Sequence, residues 1–286
     1  MGSATAVQRS FRRRERSEVG LVAALVAAAA LGWVLAYALM AGMDSGPGTE
    51  LGDPPGFALV WIPMMMAMML PPLMPMVTAY AGAHRWGRDG RRALTSAAFV
   101  AGYLLPWWAV GMVIYAIVEG VRSLHIDVFS WGHAGPYLAG GVLLGAALYQ
   151  LTTLKDASLR HCRNPSVLLE RWRPGVFGAA RTGIDHGGVC VACCWAMMSA
   201  LFALGVMSIG WMAFIALLLA AEKLLPWKAA IKYGVAILLA TLAIAVVLAP
   251  DDVPGFKVPG STKMSPAMGA TWPDQPERVP PSAGHA

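Results

Sequence analysis

Long apolar runs, separated by short charged segments, set the pattern of this chain. Residues 1–18 are polar and carry Arg9, Arg12, Arg13, Arg14 and Arg16, and an apolar run follows over 19–43. Further apolar runs cover 57–83, 93–118, 134–154 and 229–249, and a longer one covers 188–225. A helix crossing a hydrocarbon core about 30 Å thick needs roughly 20 apolar residues. The pattern therefore predicts an all-α fold, a polytopic transmembrane helical bundle with six or seven spans. Seven result if 188–225 folds as two short spans, turning at Gly205, Ser208 and Gly210; six result if it makes one span and an interfacial segment. The first run is too long for a signal-peptide core and reads as the first spanning helix.

The polar positions supply the orientation. Segment 44–56 contains Asp44, Glu50 and Asp53 and no Lys or Arg. Segment 84–92 carries Arg85, Arg88, Arg91 and Arg92, and segment 155–187, read as a loop, carries Lys155, Arg160, Arg163, Arg171, Arg173 and Arg181. Basic loops stay in the cytoplasm, so the N-terminus and 155–187 are expected inside, in a bacterial inner (plasma) membrane. The chain divides into a basic N-terminus (1–18), a transmembrane helical domain (19–249) and a tail (250–286) rich in Pro, Gly and Ser, expected to be disordered.

Composition agrees with the pattern. The chain is 57% hydrophobic and 13% charged, with a mean hydropathy of +0.56; soluble domains carry about 25% charged residues. The formal charge of +6 comes from basic residues between apolar runs. No base-stacking array accompanies them, so nucleic acid is not an expected partner and the lipid bilayer is.

Two stretches change the picture chemically. Residues 61–76, WIPMMMAMMLPPLMPM, hold seven methionines and four prolines without a charge. On a helix Met65, Met69 and Met76 fall near one face, with Met64 and Met68 on an adjacent one. Pro71, Pro72 and Pro75 would leave the carbonyls of Ala67, Met68 and Pro71 without intrahelical donors, as in a broken helix lining a cavity. Thioethers fill irregular space, and they also ligate Cu(I). Both readings stand at this stage: a kinked packing helix, or a soft-metal path.

The second stretch, DHGGVCVACCWAMMSALF at 185–202, places His186, Cys190, Cys194 and Met198 four residues apart on one helix face, with Cys193 and Met197 on the next row. Cys190 and Cys193 form a Cys-x-x-Cys, able to chelate a soft metal or to cycle as a dithiol. Cys162, beside His161, can approach the same end of the bundle. Copper(I) accounts for clustered Met and Cys together; zinc would prefer a closed set of Cys and His near water. Haem attachment is disfavoured by the absence of Cys-x-x-Cys-His. Glu222 and Lys223 read as a snorkelling pair at the inner interface. Trp61, Trp107, Trp108, Trp195, Trp211 and Trp227 read mostly as interfacial anchors, and His84, His125 and His133 as solvated loop residues.

Several segments resemble a bacterial family of predicted metal-binding integral membrane proteins described as copper-chaperone-like. They are W-x-x-M-x-x-A-M-M-L-P at 61–71, Y-Q-L-T-x-L-K at 149–155, C-R-x-P at 162–165, the Cys193-Cys194-Trp195 and Met197-Met198 segment, G-V-M at 205–207, and Glu222-Lys223. The resemblance covers about 57–230; Ala192 departs from it, standing where a Gly precedes the Cys pair. It implies a metal-binding role and brings no established transport or catalytic activity. The expectation is a membrane protein that transports, delivers or stores copper(I), with a metallochaperone or a membrane enzyme awaiting metal as partner. Thioethers are expected in the outer half and middle of the bilayer and thiols toward the cytoplasmic half. The alternatives are a membrane thiol-disulfide oxidoreductase and an assembly scaffold for another membrane complex.

Overall fold

Each apolar run becomes a helix, because away from water a chain satisfies its backbone N–H and C=O groups most completely against itself. The computed structural model describes residues 2–41, 52–83, 89–123, 135–170, 173–206 and 208–250, with Val253. The expected disordered tail, apart from Pro250 and Val253, and His84, His125 and His133 lie outside the described residues. In chain order the helices are α1 (Gly2–Met40), α2 (Pro54–Ala83), α3 (Asp89–Ser123), α4 (Gly135–Gln150), α5 (Thr153–Arg163), α6 (Pro165–Glu170), α7 (Gly175–Leu204), α8 (Ile209–Leu224) and α9 (Lys228–Leu248), and the described residues contain no strand.

Five helices are long and apolar enough to cross a membrane, and six if α4 and α5, bent by 69° at their junction, count as one broken span. With its 16 residues, α8 rises only about 24 Å, short of a full core. The long helices turn apolar side chains outward: Val34, Ile117, Leu217, Ile237 and Leu248 are all more than half exposed. Such a surface suits lipid and would associate in water.

Segment 155–187 is not a loop. It forms α5, α6 and the first turns of α7, which starts at Gly175 rather than near 188. Local signals explain α5: the Thr152 side chain accepts a hydrogen bond from the Lys155 N–H, Asp156 occupies the first turn, and Arg160, His161 and Arg163 occupy the last. Charges so placed complement the helix dipole at both ends. The positive-inside pattern marked these residues as basic, and basicity alone does not distinguish a loop from an amphipathic helix.

At the centre stand α2, α3 and α7, with α1 against α2, α4 against α7 and α9, and α5 against α7. The α3–α7 pair is the most extensive, and small residues allow it. A Cβ on Gly102 would collide with the Ala180 carbonyl, one on Gly183 with the Phe99 carbonyl, and one on Gly187 would lie 2.6 Å from the Tyr103 carbonyl oxygen. Close backbone approach of this kind drives helix association where lipid removes the hydrophobic contribution. Because Phe99 faces Gly183 and Tyr103 faces Gly187, the two helices run parallel.

Helix α2 continues through Pro63, Pro71, Pro72 and Pro75 as a single element, so the expected break is absent. On α1 the buried residues Leu25, Ala29, Gly32, Ala36 and Met40 form the stripe that meets it. A Cβ on Gly32 would sit 2.8 Å from the Pro63 oxygen and the Ala67 nitrogen, so α1 lies directly on the α2 backbone.

Two aromatic rungs tie the central helices. At one end the Trp61 indole donates to the Trp107 carbonyl at 2.9 Å and its ring lies 5.5 Å from that of Phe202. At the other, Tyr80 stacks on Phe99 at 4.9 Å, and Phe99 lies 6.2 Å from His186. Trp61 and Trp107 are thus core residues, fully buried, and not the interfacial anchors their sequence positions suggest. Trp108, Trp195 and Trp227 do face outward.

Candidate metal centre

Two elements bring three thiols together. Cys190 and Cys193 lie one turn apart on α7, and the bend between α4 and α5 turns the chain so that α5 packs across α7. That places Cys162, in the last turn of α5, beside them. The Sγ atoms of Cys162, Cys190 and Cys193 all lie within 4.8 Å of one another, and all three residues are buried. Cys194 approaches from the side, its Sγ 3.2 Å from that of Cys193. The Cys193 thiol is oriented by donating to the Cys190 carbonyl at 3.2 Å. All four cysteines are free.

A polar frame surrounds the sulfurs. The Lys155 ammonium donates to Glu222 Oε2 at 2.7 Å and to the Cys193 carbonyl at 2.6 Å, with both side chains of the ion pair 3% exposed. Lys223 Nζ donates to Cys190 Sγ at 2.8 Å, and the Tyr103 hydroxyl lies 3.0 Å from the same sulfur. Tyr149 donates to the Ala192 carbonyl at 2.6 Å and meets Trp195 edge-on. Glu222 and Lys223 are therefore not a snorkelling pair. Glu222 turns inward to Lys155 and Lys223 turns to a thiol, because neighbours on a helix point about 100° apart.

The remaining sequence candidates fall into two groups. His186 is buried one turn before Cys190, against the rings of Phe99 and Tyr103, and is not part of the mutually close sulfur set. Met197 and Met198 continue the Cys193 and Cys194 rows and are buried, as are Met64, Met65, Met68 and Met69 on α2. The two aromatic rungs fix their relative levels. The rungs pair Trp61 with Phe202 and link Tyr80 through Phe99 to His186; the α2 methionines and the α7 cysteines and methionines all lie between them. Met64, Met65, Met68 and Met69 sit toward the Trp61–Phe202 rung and Cys190 and Cys193 toward the Tyr80–His186 rung, so thioethers and thiols follow one another along the bundle. The early start of α7 at Gly175 puts Cys190 at mid-helix instead of near its beginning.

Lys155, Tyr103, Tyr149 and the inward role of Glu222 were missed as parts of the site. The signal was present. Tyr149, Lys155, Glu222 and Lys223 all belong to the segments that carry the family resemblance, and an ionisable residue within apolar sequence marks function by default.

The donor set suits a soft ion. Hard cations such as Ca²⁺ and Mg²⁺ take oxygen ligands, whereas thiolates select Cu(I), zinc and iron–sulfur centres. Bonds of about 2.3 Å, the metal–thiolate length known for zinc, would give a trigonal sulfur triangle with edges of about 4 Å. The triangle present needs little closure to reach that size. Structural zinc almost always takes four ligands; the close set among the described residues offers three.

Fold and site together define a helical protein with spans of membrane-crossing length and a buried thiol set fit for a soft metal. The chain belongs to the PpoB2 copper-chaperone family, matching it over residues 58–246. No curated protein and no solved structure matches it. The matched region contains all four cysteines and every candidate ligand methionine of α2 and α7.

Proposed function

We propose that this protein holds Cu(I) as cargo on the thiolates of Cys162, Cys190 and Cys193, and takes it from or gives it to the thioethers of α2 within a bacterial inner membrane. The observation that carries the reading is the sulfur triangle, three buried thiols mutually within 4.8 Å and drawn from two separate helices. Copper-chaperone membership supports the choice of metal. Three thiolates and one Cu(I) leave two negative charges, and Lys223 lies at hydrogen-bond distance from one of the sulfurs. Neutral thioethers ligate without releasing a proton and thiolates only after releasing one, so exchange between neighbouring Met and Cys sites is set by proton availability. The N-terminus and α5–α6 face the cytoplasm in this reading, on the strength of their basic residues, and the metal's partner is a metallochaperone or a membrane enzyme to be metallated.

Burial weighs against the thiol-disulfide oxidoreductase alternative. Exchange requires a thiolate to reach a partner's disulfide, and Cys190, Cys193 and Cys194 are at most 1% exposed. The test is copper bound per purified protein, measured for wild type and for Cys162→Ser, Cys190→Ser and Cys193→Ser combined. Stoichiometric Cu(I) in the wild type and its loss in the triple variant is the expected result. Equal copper in both would end the proposal, and tighter zinc than copper binding would reassign the metal.

A further inference from the structure

A cleft of about 670 Å³ opens on the far side of the Lys155–Glu222 pair, lined among others by Gln150, Lys155, Asp156, Arg160, Arg163 and Lys232. Its volume lies within the range of small-molecule sites. Three observations describe what it would hold. Its two carboxylates are already engaged, Asp156 by Lys232 at 2.7 Å and Glu222 by Lys155 at 2.7 Å. Arg160 and Arg163 have no carboxylate partner among the described residues, although Arg163 also donates to the Leu225 carbonyl. The cleft therefore presents two guanidinium groups to an anion, and guanidinium matches carboxylate in shape.

The second observation is Gln150. It is 1% exposed, and neither its Nε2 nor its Oε1 has a hydrogen-bond partner. A buried amide without partners is uncommon and costly. It asks for a ligand with both a donor and an acceptor, as a peptide group has. The third is adjacency. The Lys155 ammonium that lines the cleft also holds the carbonyl of Cys193, so one side chain joins the cleft to the backbone of a residue of the sulfur triangle.

We propose that this cleft binds a small acidic thiol peptide and that this peptide is the source of the copper. The proposal rests on the Cu(I) reading above. In the transfer a Cu–S bond to the peptide breaks as a Cu–S bond to a protein cysteine forms. The incoming cysteine thiol passes its proton to the departing thiolate, and copper stays Cu(I), so no oxidant or reductant is consumed. Gln150 and the two arginines hold the peptide while this happens.

The full-length protein in lipid nanodiscs is titrated calorimetrically with S-methylglutathione, a metal-free acidic peptide whose sulfur is blocked. Saturable binding is expected for wild type and equally for the Cys162→Ser, Cys190→Ser, Cys193→Ser variant. Gln150→Leu and, separately, the exposed Arg160→Gln should each weaken it about tenfold. Loading from Cu(I)–glutathione should slow by about the same factor in both, while Cu(I) offered in acetonitrile loads wild type and variants alike. No peptide binding by the wild type, or binding indifferent to both substitutions, overturns the proposal. So does displacement of the peptide by inorganic phosphate at equal concentration, which would mark a simple anion site. Copper uptake from acetonitrile without peptide binding sinks the cleft alone; peptide binding without copper uptake from either source sinks the Cu(I) reading and leaves a peptide site without that cargo.

Discussion

The Lys155–Glu222 pair joins α5 to α8, and through the Cys193 carbonyl it joins both to α7. Replacing Lys155 by Met removes an ion pair 2.7 Å long whose two side chains are 3% exposed. Breaking one side of a buried pair costs about 3–5 kcal/mol, because the other charge is left without a partner. The Cys193 carbonyl loses its donor too, adding roughly 1 kcal/mol. Glu222→Leu should cost a similar amount, about 3–5 kcal/mol, by stranding the ammonium. The double variant Lys155→Met, Glu222→Leu leaves an apolar pair of similar volume and one unpaired carbonyl, at a cost of about 1–2 kcal/mol. At about 2–4 °C per kcal/mol for chains of this order, each single variant melts about 6–20 °C lower and the double within about 8 °C of wild type. The assay is thermal unfolding in detergent with a maleimide dye that fluoresces on reacting with thiols, all four of which are buried in the native state. Copper content should follow stability, falling in the singles and returning in the double, since Cys162 reaches the other sulfurs only while α5 stays docked. A double variant as damaged as the two singles added together would refute the reasoning, because non-interacting sites add.

Cys162→Ser should weaken Cu(I) binding at least as much as Cys190→Ser or Cys193→Ser, by about tenfold or more, and Cys194→Ser distinctly less, read by competition with a chromogenic Cu(I) chelator. The combined Met65→Leu, Met68→Leu, Met69→Leu variant should fold normally, each swap costing under about 1.5 kcal/mol, yet lose copper-dependent growth protection; wild-type protection would remove these thioethers from the path. Gly187→Ala should lower stability by about 1–3 kcal/mol, because its Cβ meets the Tyr103 backbone. Gly188→Ala, where nothing lies within 4 Å, should be neutral or slightly stabilising in the same melt. A reporter fused at residue 170 should report the cytoplasm, and an external signal would invert the proposed orientation.

The helices were legible because apolar length is a one-dimensional property, and α2, α3 and α9 begin and end within a few residues of the apolar runs, whereas α1 starts at Gly2, well before its run at 19. Position 175 was not, since Arg181 and Asp185 interrupt the hydropathy that α7 nevertheless continues through. The sulfur set was half legible. Cys190 and Cys193 share a helix, so their spacing alone places them together, whereas Cys162 arrives only through the 69° bend at the end of α4, which no local pattern encodes. His186 shows the converse. Its i, i+4 relation to Cys190 put it on the right face, but a face extends along the whole helix and the sulfur triangle occupies one level of it. Trp61 and Trp107 misled for a related reason: position near a span end says nothing about whether a side chain points to lipid or to a neighbour.

The strongest sign that the sulfurs do chemistry comes from the lysines. A chain with 13% charged residues places two ammonium groups within hydrogen-bond reach of one cysteine pair, one on the Cys193 carbonyl and one on the Cys190 sulfur. Taking an ammonium out of water costs several kcal/mol unless an opposite charge or a full set of acceptors meets it. Lys155 has that charge in Glu222. Lys223 has no described carboxylate within ion-pair distance; its acceptor is Cys190, and a neutral thiol is among the weakest acceptors a protein offers. Were the cysteines simple packing residues, Leu at 223 would serve the same helix with less desolvation. The ammonium is matched only if the sulfur beside it carries negative charge in the working protein, as a thiolate bare or bound to metal. That requirement falls on Cys190, the one cysteine contacted by Lys223 and Tyr103 and shared by the sulfur triangle.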